Sequence, residues 1–154
     1  MLVAERGEVN RMEAYRIARR VRGGDNWATP SGLFSALNAE FSFTLDPCPL
    51  NPEGGLPLFG SDGLSVSWSG HRVYCNPPYS NIRPWLAKAR EADVAVYLVP
   101  SRTGTRWWHE YAINADEIRF LRGRLKFGCS NTPAPFDSVV LVFRAPLFNE
   151  RSEP

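Results

Sequence analysis

Four consecutive residues, Asn76-Pro77-Pro78-Tyr79, carry the groups needed to work on a planar amine. Two successive prolines remove two backbone donors and fix two φ angles, so the tetrapeptide neither continues a strand nor sits inside a helix. It forms a rigid loop. Asn76 precedes a proline and is pushed towards extended backbone, which aims its side chain at a nearly fixed angle from the apolar run Val73-Tyr74-Cys75. A side-chain amide, the Pro77 carbonyl and an aromatic ring are thereby held together.

An aromatic exocyclic amine, such as N6 of adenine, is a poor nucleophile because its lone pair is delocalised into the ring. Two acceptors, the Asn76 side-chain oxygen and the Pro77 carbonyl, would take its two N–H groups and favour a tetrahedral nitrogen whose lone pair points at an electrophile. Tyr79 would stack on the face of the base. Catalysis then consists of positioning and aimed dipoles, without a covalent intermediate or a metal.

The tetrapeptide resembles the catalytic motif of S-adenosylmethionine-dependent amino-methyltransferases, and the wider pattern resembles the phage-type DNA N6-adenine methyltransferases. That pattern is Asp25-Asn26-Trp27-Ala28-Thr29-Pro30, Leu45-Asp46-Pro47-Cys48, Asp62-Gly63-Leu64, Asn76 to Tyr79 and Gly123-Arg124-Leu125, spread over residues 25–144. The resemblance implies a reduced Rossmann-like α/β fold: a single mixed, mostly parallel sheet flanked by helices, with the catalytic strand central. It implies Asn76, Pro77, Pro78 and Tyr79 as catalytic residues and S-adenosylmethionine as cofactor. Trp27, Thr29, Pro30, Asp46, Pro47, Cys48 and Asp62 are its implied cofactor contacts, with Thr29-Pro30 at the methionine end and Asp62 near the adenine. Double-stranded DNA is the implied partner. The family's glycine-rich turn directly after the Asp46 strand is missing here, since Gly54-Gly55 arrive late.

The chain has 154 residues, 44% of them hydrophobic, enough for one good core and hardly two. Eighteen basic and 16 acidic residues leave a net charge of +2, so contact with a polyanion must rest on local clusters. Arg102, Arg106 and Lys126 are the expected DNA contacts. Cys48, Cys75 and Cys129 lack the paired spacing of a zinc site or a disulfide framework, which predicts reduced thiols and no metal. Met1-Leu2-Val3 lacks a signal peptide's apolar core and no stretch is long enough to span a membrane. A cytoplasmic location is therefore expected, in a bacterial host cell if the gene is phage-borne.

Three segments follow from composition: a basic arm or helix over 1–24 carrying six arginines between Arg6 and Arg22, a methyltransferase domain over 25–144, and a disordered tail over 145–154. Thr29 as N-cap and Pro30 at the first position predict a helix over 31–39, with Leu33, Phe34 and Leu37 on one face. Alternation over Phe41–Leu45 predicts a strand ending at Asp46, a strand-end carboxylate suited to a cofactor. The stretch from there to Asn76 has room for a single strand-helix-strand unit of about 30 residues. Trp68 and Gly70 mark the turn before the strand His71–Cys75. A helix from Ser80 to Ala92 and a buried strand over Val94–Val99 complete a βαβ unit. A helix at Trp107, Trp108 and Tyr111 follows, then strands at Ile118–Leu121 and Ser138–Arg144, with Phe127 and Phe136 placed to be core aromatics or to line a base pocket.

Two other readings share these residues. Related enzymes with the same tetrapeptide methylate protein glutamine side chains, also planar amides. A DNA-binding module that kept the fold and lost catalysis would also fit so short a sheet. Oligomeric state and DNA target are not legible in the sequence.

Overall fold

The computed structural model describes residues 27–49, 62–128 and 130–146. The expected basic segment over 1–24, the Gly54-Gly55 turn, Cys129 and the tail from residue 147 lie outside them. A four-stranded sheet organises the rest: β1 (Arg72–Cys75), β2 (Val94–Pro100), β3 (Glu117–Phe120) and β4 (Ser138–Arg144), in spatial order β1-β2-β4-β3. β1 and β2 pair in parallel from Arg72↔Val94 to Cys75↔Tyr97, while β4 lies antiparallel to both β2 and β3. The sheet is thus mixed, and not mostly parallel as expected. The cause is the return of β4 between β2 and β3 through the loop 121–137, whose described residues form no crossover helix of the kind parallel neighbours use.

Among the described residues β1 is also the outer strand of this sheet and not its centre. One parallel bridge, Leu45↔Val73, adds a stub outside it. The expected strand Phe41–Leu45 shrinks to that bridge because helix α1 (Ser31–Phe41) runs on through Phe41. It closes with Ser42 in the left-handed region at φ 51, where the Ser42 N–H donates to the Asn38 carbonyl at 2.8 Å. Asn38 Oδ1 accepts from the Phe43 N–H at 2.9 Å and completes the exit. Beyond Leu45, Pro47 has no N–H to give, and the Asp46 carboxylate turns the chain by accepting from the Cys48 N–H at 3.0 Å.

Two more expectations are revised. Pro30, with φ −56 and ψ 133, occupies the N-cap of α1, and the Thr29 hydroxyl does not cap it. The helix expected over Ser80–Ala92 breaks into a 3-10 turn at Tyr79–Asn81, helix α2 (Arg83–Ala87) and a second 3-10 turn at Ala89–Glu91. Pro84 explains the break: it lacks the N–H that would bond Ser80 and its ring crowds that carbonyl, so a helix tolerates it only in the first turn. The buried face survives, with Ile82, Trp85, Leu86 and Ala89 all in the core.

Period-2 alternation splits the core into two layers. Val73, Cys75, Ala95, Tyr97, Val99, Val139, Leu141 and Phe143 point to one face, which α2, Trp68, Trp108 and Ala112 cover. Tyr74, Val96, Leu98, Val140 and Val142 point to the other, under Leu37, Phe41, Phe43 and Phe127. β2 is apolar throughout because it is buried on both faces. Helix α3 (Arg106–Glu110) follows it and sets Trp108 into the first layer.

Ion pairs fasten the edge of the sheet where β3 begins and β4 ends. Arg119 makes a bidentate pair with Glu40, at 2.7 Å for each contact, tying β3 to α1. Arg90 donates to Asp116 at 2.6 Å and to the Arg144 carbonyl at 2.7 Å. Hydrogen bonds from Arg119 and Arg144 hold Glu117 below the usual carboxylate range, and the Arg144 backbone N–H followed by Arg90 does the same for Asp116. A carboxylate depressed in the folded state adds stability above its unfolded pKa and loses it as pH falls through the folded value. Stability should therefore be flat from pH 7 to 5 and fall below about pH 4, as urea midpoints across that range would report. A midpoint unchanged down to pH 3 would contradict these pairs.

Candidate active site

The carboxyl ends of the Leu45 stub, β1, β2 and β3 and the amino end of β4 all open at one edge of the sheet. Open α/β sheets bind ligands at such an edge. β1 ends there in Asn76, 4% exposed, followed by buried Pro77 and Pro78.

The proline pair has a direct effect on the neighbouring strand. The last β1–β2 pair is Cys75↔Tyr97, so β2 runs on beyond its neighbour and no proline N–H can reach the Leu98 carbonyl. Tyr79 reaches it instead, its hydroxyl donating to the Leu98 carbonyl at 3.3 Å. The Tyr79 ring meets Phe136 edge-on at 5.7 Å and Phe127 at 6.5 Å. Trp27 stands edge-on to the same two rings, at 5.5 Å from Phe127 and 5.1 Å from Phe136. Four aromatic side chains from three distant parts of the chain thus gather beside Asn76.

Asn76 itself is held by the segment 27–29. Its Nδ2 donates to the Trp27 carbonyl and, at 3.2 Å, to the Thr29 hydroxyl. A backbone carbonyl can only accept, so the amide is oriented with nitrogen towards Trp27 and Oδ1 at the opposite end. Thr29 Oγ1 is also hydrogen-bonded to the Tyr74 hydroxyl. Burial pushes the Tyr74 phenol well above its ordinary range, partly offset by that bond to Thr29, with smaller upward contributions from Tyr79 and Asp46. The segment is anchored from behind by the Gly128 N–H, which donates to the Ala28 carbonyl at 2.8 Å.

The two expected cofactor carboxylates come from adjoining turns. Asp46 follows the stub beside β1. Asp62 opens a turn, its Oδ1 accepting from the Leu64 N–H at 2.9 Å and its Oδ2 from the Ser65 hydroxyl at 2.6 Å. Those bonds, the Ser65 one first, hold it below the usual carboxylate range, so it stays ionised at neutral pH. Gly63 joins the turns: a Cβ there would lie 1.9 Å from the Pro47 carbonyl oxygen, so only glycine permits the contact. Trp68 Nε1 donates to the Gly63 carbonyl at 2.9 Å, and Lys88 Nζ donates to the Leu64 and Val66 carbonyls at 3.1 and 2.6 Å.

The expected DNA contacts do not all converge. Arg102 lies at the working edge with its guanidinium 5.9 Å from the Phe136 ring, and Lys126 is exposed next to buried Phe127. Arg106 forms an ion pair with Glu110, which also holds Arg83. Pro30 sits at the start of α1, and Cys48 is buried in the first core layer. Two features were missed from the sequence. Tyr74 was passed over, although its i,i+2 spacing from Asn76 puts both on one face of the strand. Arg122 and Arg124, exposed beside Lys126 on a loop that turns at Gly123 with φ 76, extend the cationic rim.

A strand-end amide on a proline-stiffened loop thus sits beside an aromatic cluster at the carboxyl edge of an α/β sheet. A profile of the DNA N-6-adenine-methyltransferase (Dam) family matches residues 18–151, and the chain belongs to that family. The DNA N-6-adenine-methyltransferase of Haemophilus phage HP1 (strain HP1c1) is 30% identical over 107 residues, which cover 63% of this chain and 62% of the phage protein. The chain therefore spans less than two thirds of that relative's length. No solved structure matches it.

Gly63→Ala tests the seam between the Asp46 and Asp62 turns. The new methyl would overlap the Pro47 backbone, and the expected loss is about 1–3 kcal/mol, the scale of overpacking, read as a lowered urea midpoint. An unchanged midpoint would mean that the two turns do not touch.

Proposed function

We propose that the chain methylates N6 of adenine in double-stranded DNA, using S-adenosylmethionine on a reduced Rossmann-like scaffold in the cytoplasm of a bacterial cell. The carrying observation is the orientation of the Asn76 amide. With its nitrogen committed to the Trp27 carbonyl and the Thr29 hydroxyl, its oxygen is the acceptor that a planar amine needs. The Pro77 carbonyl supplies the second acceptor, and together they draw the amine nitrogen towards a tetrahedral shape. The Tyr79 ring, with Phe127, Phe136 and Trp27 around it, provides the apolar walls that an extruded base requires.

The residues present fit the cofactor. Asp46 and Asp62, on turns brought together at Gly63, suit a ligand rich in ammonium, hydroxyl and amino donors. The family resemblance would add Trp27, Thr29, Pro30, Pro47 and Cys48 to that wall; of these, Trp27 and Thr29 hold the Asn76 amide and Cys48 is packed in the core. S-adenosylmethionine, when bound, supplies an electrophilic methyl group on a cationic sulfur. Arg102 and Lys126, with Arg122 and Arg124, contact the phosphates that flank the target base. Arg106 joins them only where DNA displaces Glu110.

Incubation with labelled S-adenosylmethionine and DNA, followed by nucleoside analysis, should yield N6-methyladenine. Label on protein and none on DNA would sink the reading. Asn76→Ala should lower kcat by roughly 10²-fold while cofactor affinity holds, because the lost acceptor acts in the transition state. In the same series Tyr79→Ala should weaken base capture by about 1–3 kcal/mol. Tyr79→Phe keeps the ring, loses the long bond to Leu98 and should retain most activity. Full methylation by Asn76→Ala would refute the mechanism. Asp46→Ala should weaken S-adenosylmethionine binding far more than DNA binding, as calorimetry with each ligand would measure. Equal losses, with an altered circular dichroism spectrum, would instead indicate misfolding.

A further inference from the structure

Asn76 is 49 and 47 residues away from the two groups that hold its amide nitrogen, Trp27 and Thr29. The Trp27 carbonyl fixes which end of the amide is nitrogen. A single contact at the nitrogen restrains rotation about the last torsion less tightly than two. The Thr29 hydroxyl supplies the second point. It accepts the other Nδ2 hydrogen at 3.2 Å, and two contacts at the nitrogen define the amide plane and hence the direction of Oδ1. The hydroxyl is itself fixed from the third side by Tyr74, a phenol 2% exposed, on the same face of β1 as Asn76. A side chain that only capped helix α1 would leave this work undone, and Thr29 makes no cap.

We propose that Thr29 is a positioning residue for methyl transfer: anchored by the buried Tyr74 phenol, its hydroxyl sets the plane of the Asn76 amide and so aims Oδ1 at the amine. The inference rests on the proposed methyltransferase reading for its kinetic arm, and on the free protein alone for its spectroscopic arm. Thr29 acts through Asn76, so its contribution belongs to the rate from the assembled complex and not to cofactor capture.

The test compares Thr29→Val, which keeps the shape and removes the hydroxyl, with Thr29→Ser, which keeps the hydroxyl, and with Tyr74→Phe, which removes only its anchor. Single-turnover methylation at saturating DNA and S-adenosylmethionine should fall about 10- to 100-fold in Thr29→Val, the cost of a misaimed group, and largely recover in Thr29→Ser. Tyr74→Phe should fall in between. Calorimetric affinity for S-adenosylmethionine should change less than about threefold in all three, well under the 1.4 kcal/mol of a tenfold change. In the free wild-type protein the Asn76 side-chain NH₂ protons, assigned by their loss in Asn76→Ala, should be inequivalent and protected from exchange, and that protection should drop in Thr29→Val. If Thr29→Val instead weakens S-adenosylmethionine binding tenfold and leaves the saturated rate intact, Thr29 is a cofactor contact and the proposal is overturned. Unchanged rate and unchanged protection overturn it equally. Should Thr29→Val fail to fold, Tyr74→Phe decides alone, and wild-type rate and protection there overturn the relay. A wild-type protein that methylates no adenine refutes the functional reading, while the exchange measurement still judges the hydrogen-bonded relay.

Discussion

The structure depends on what happens when a strand runs out of donors. Pro77 and Pro78 end β1 by removing the N–H groups with which it would go on pairing, and β2 continues past it. The polar groups uncovered there must be satisfied from elsewhere, since buried backbone groups without partners are costly. Tyr79 reaches back to the Leu98 carbonyl, and the segment at Trp27 closes over Asn76. The same interruption that makes the loop rigid also forces remote parts of the chain to converge on it.

Convergence is polarised across the sheet. One edge collects amide, phenols, carboxylates at Asp46 and Asp62 and a rim of cations. The opposite side is stitched by Arg119 to Glu40, Arg90 to Asp116 and Arg144 to Glu117. Such half-exposed pairs contribute little one by one, but they fix the ends of β3 and β4 without occupying the working edge. The cations left at that edge, Arg102, Arg122, Arg124 and Lys126, carry no ion pair in the described structure, whereas Arg106 does.

Much of this was legible in the sequence, and the exceptions share a cause. β4 falls on Ser138–Arg144 as expected and β2 within a residue, because both are short, valine-rich apolar runs of the kind a strand buried on both faces requires. The loop at Asn76 was legible because proline acts locally. The apolar periodicity from Ser80 outruns the helix because Pro84 restricts it to a short turn, and the alternating phenylalanines at Phe41 suit a helix end as well as a strand. Thr29 looked like a cap because Thr-Pro ahead of an apolar face is a local signal. Its actual partners, Tyr74 and Asn76, lie more than forty residues away, and no local rule reports hydrogen bonds at that separation. The strand order was hidden for the same reason: nothing in residues 121–137 announces that β4 will insert between its predecessors.

That insertion bears on when the protein becomes competent during its own synthesis. Among the described residues β4 is the last strand to be made, yet it lies between β2 and β3, so that half of the sheet has no centre until residue 144 is available. The rings of Phe127 and Phe136 also arrive late, about a hundred residues after the Trp27 they flank. Pairings this distant in the chain close slowly. A chain stopped short of residue 138 therefore lacks the strand that joins β2 to β3, and one stopped short of residue 136 also lacks the Phe136 ring that meets Trp27.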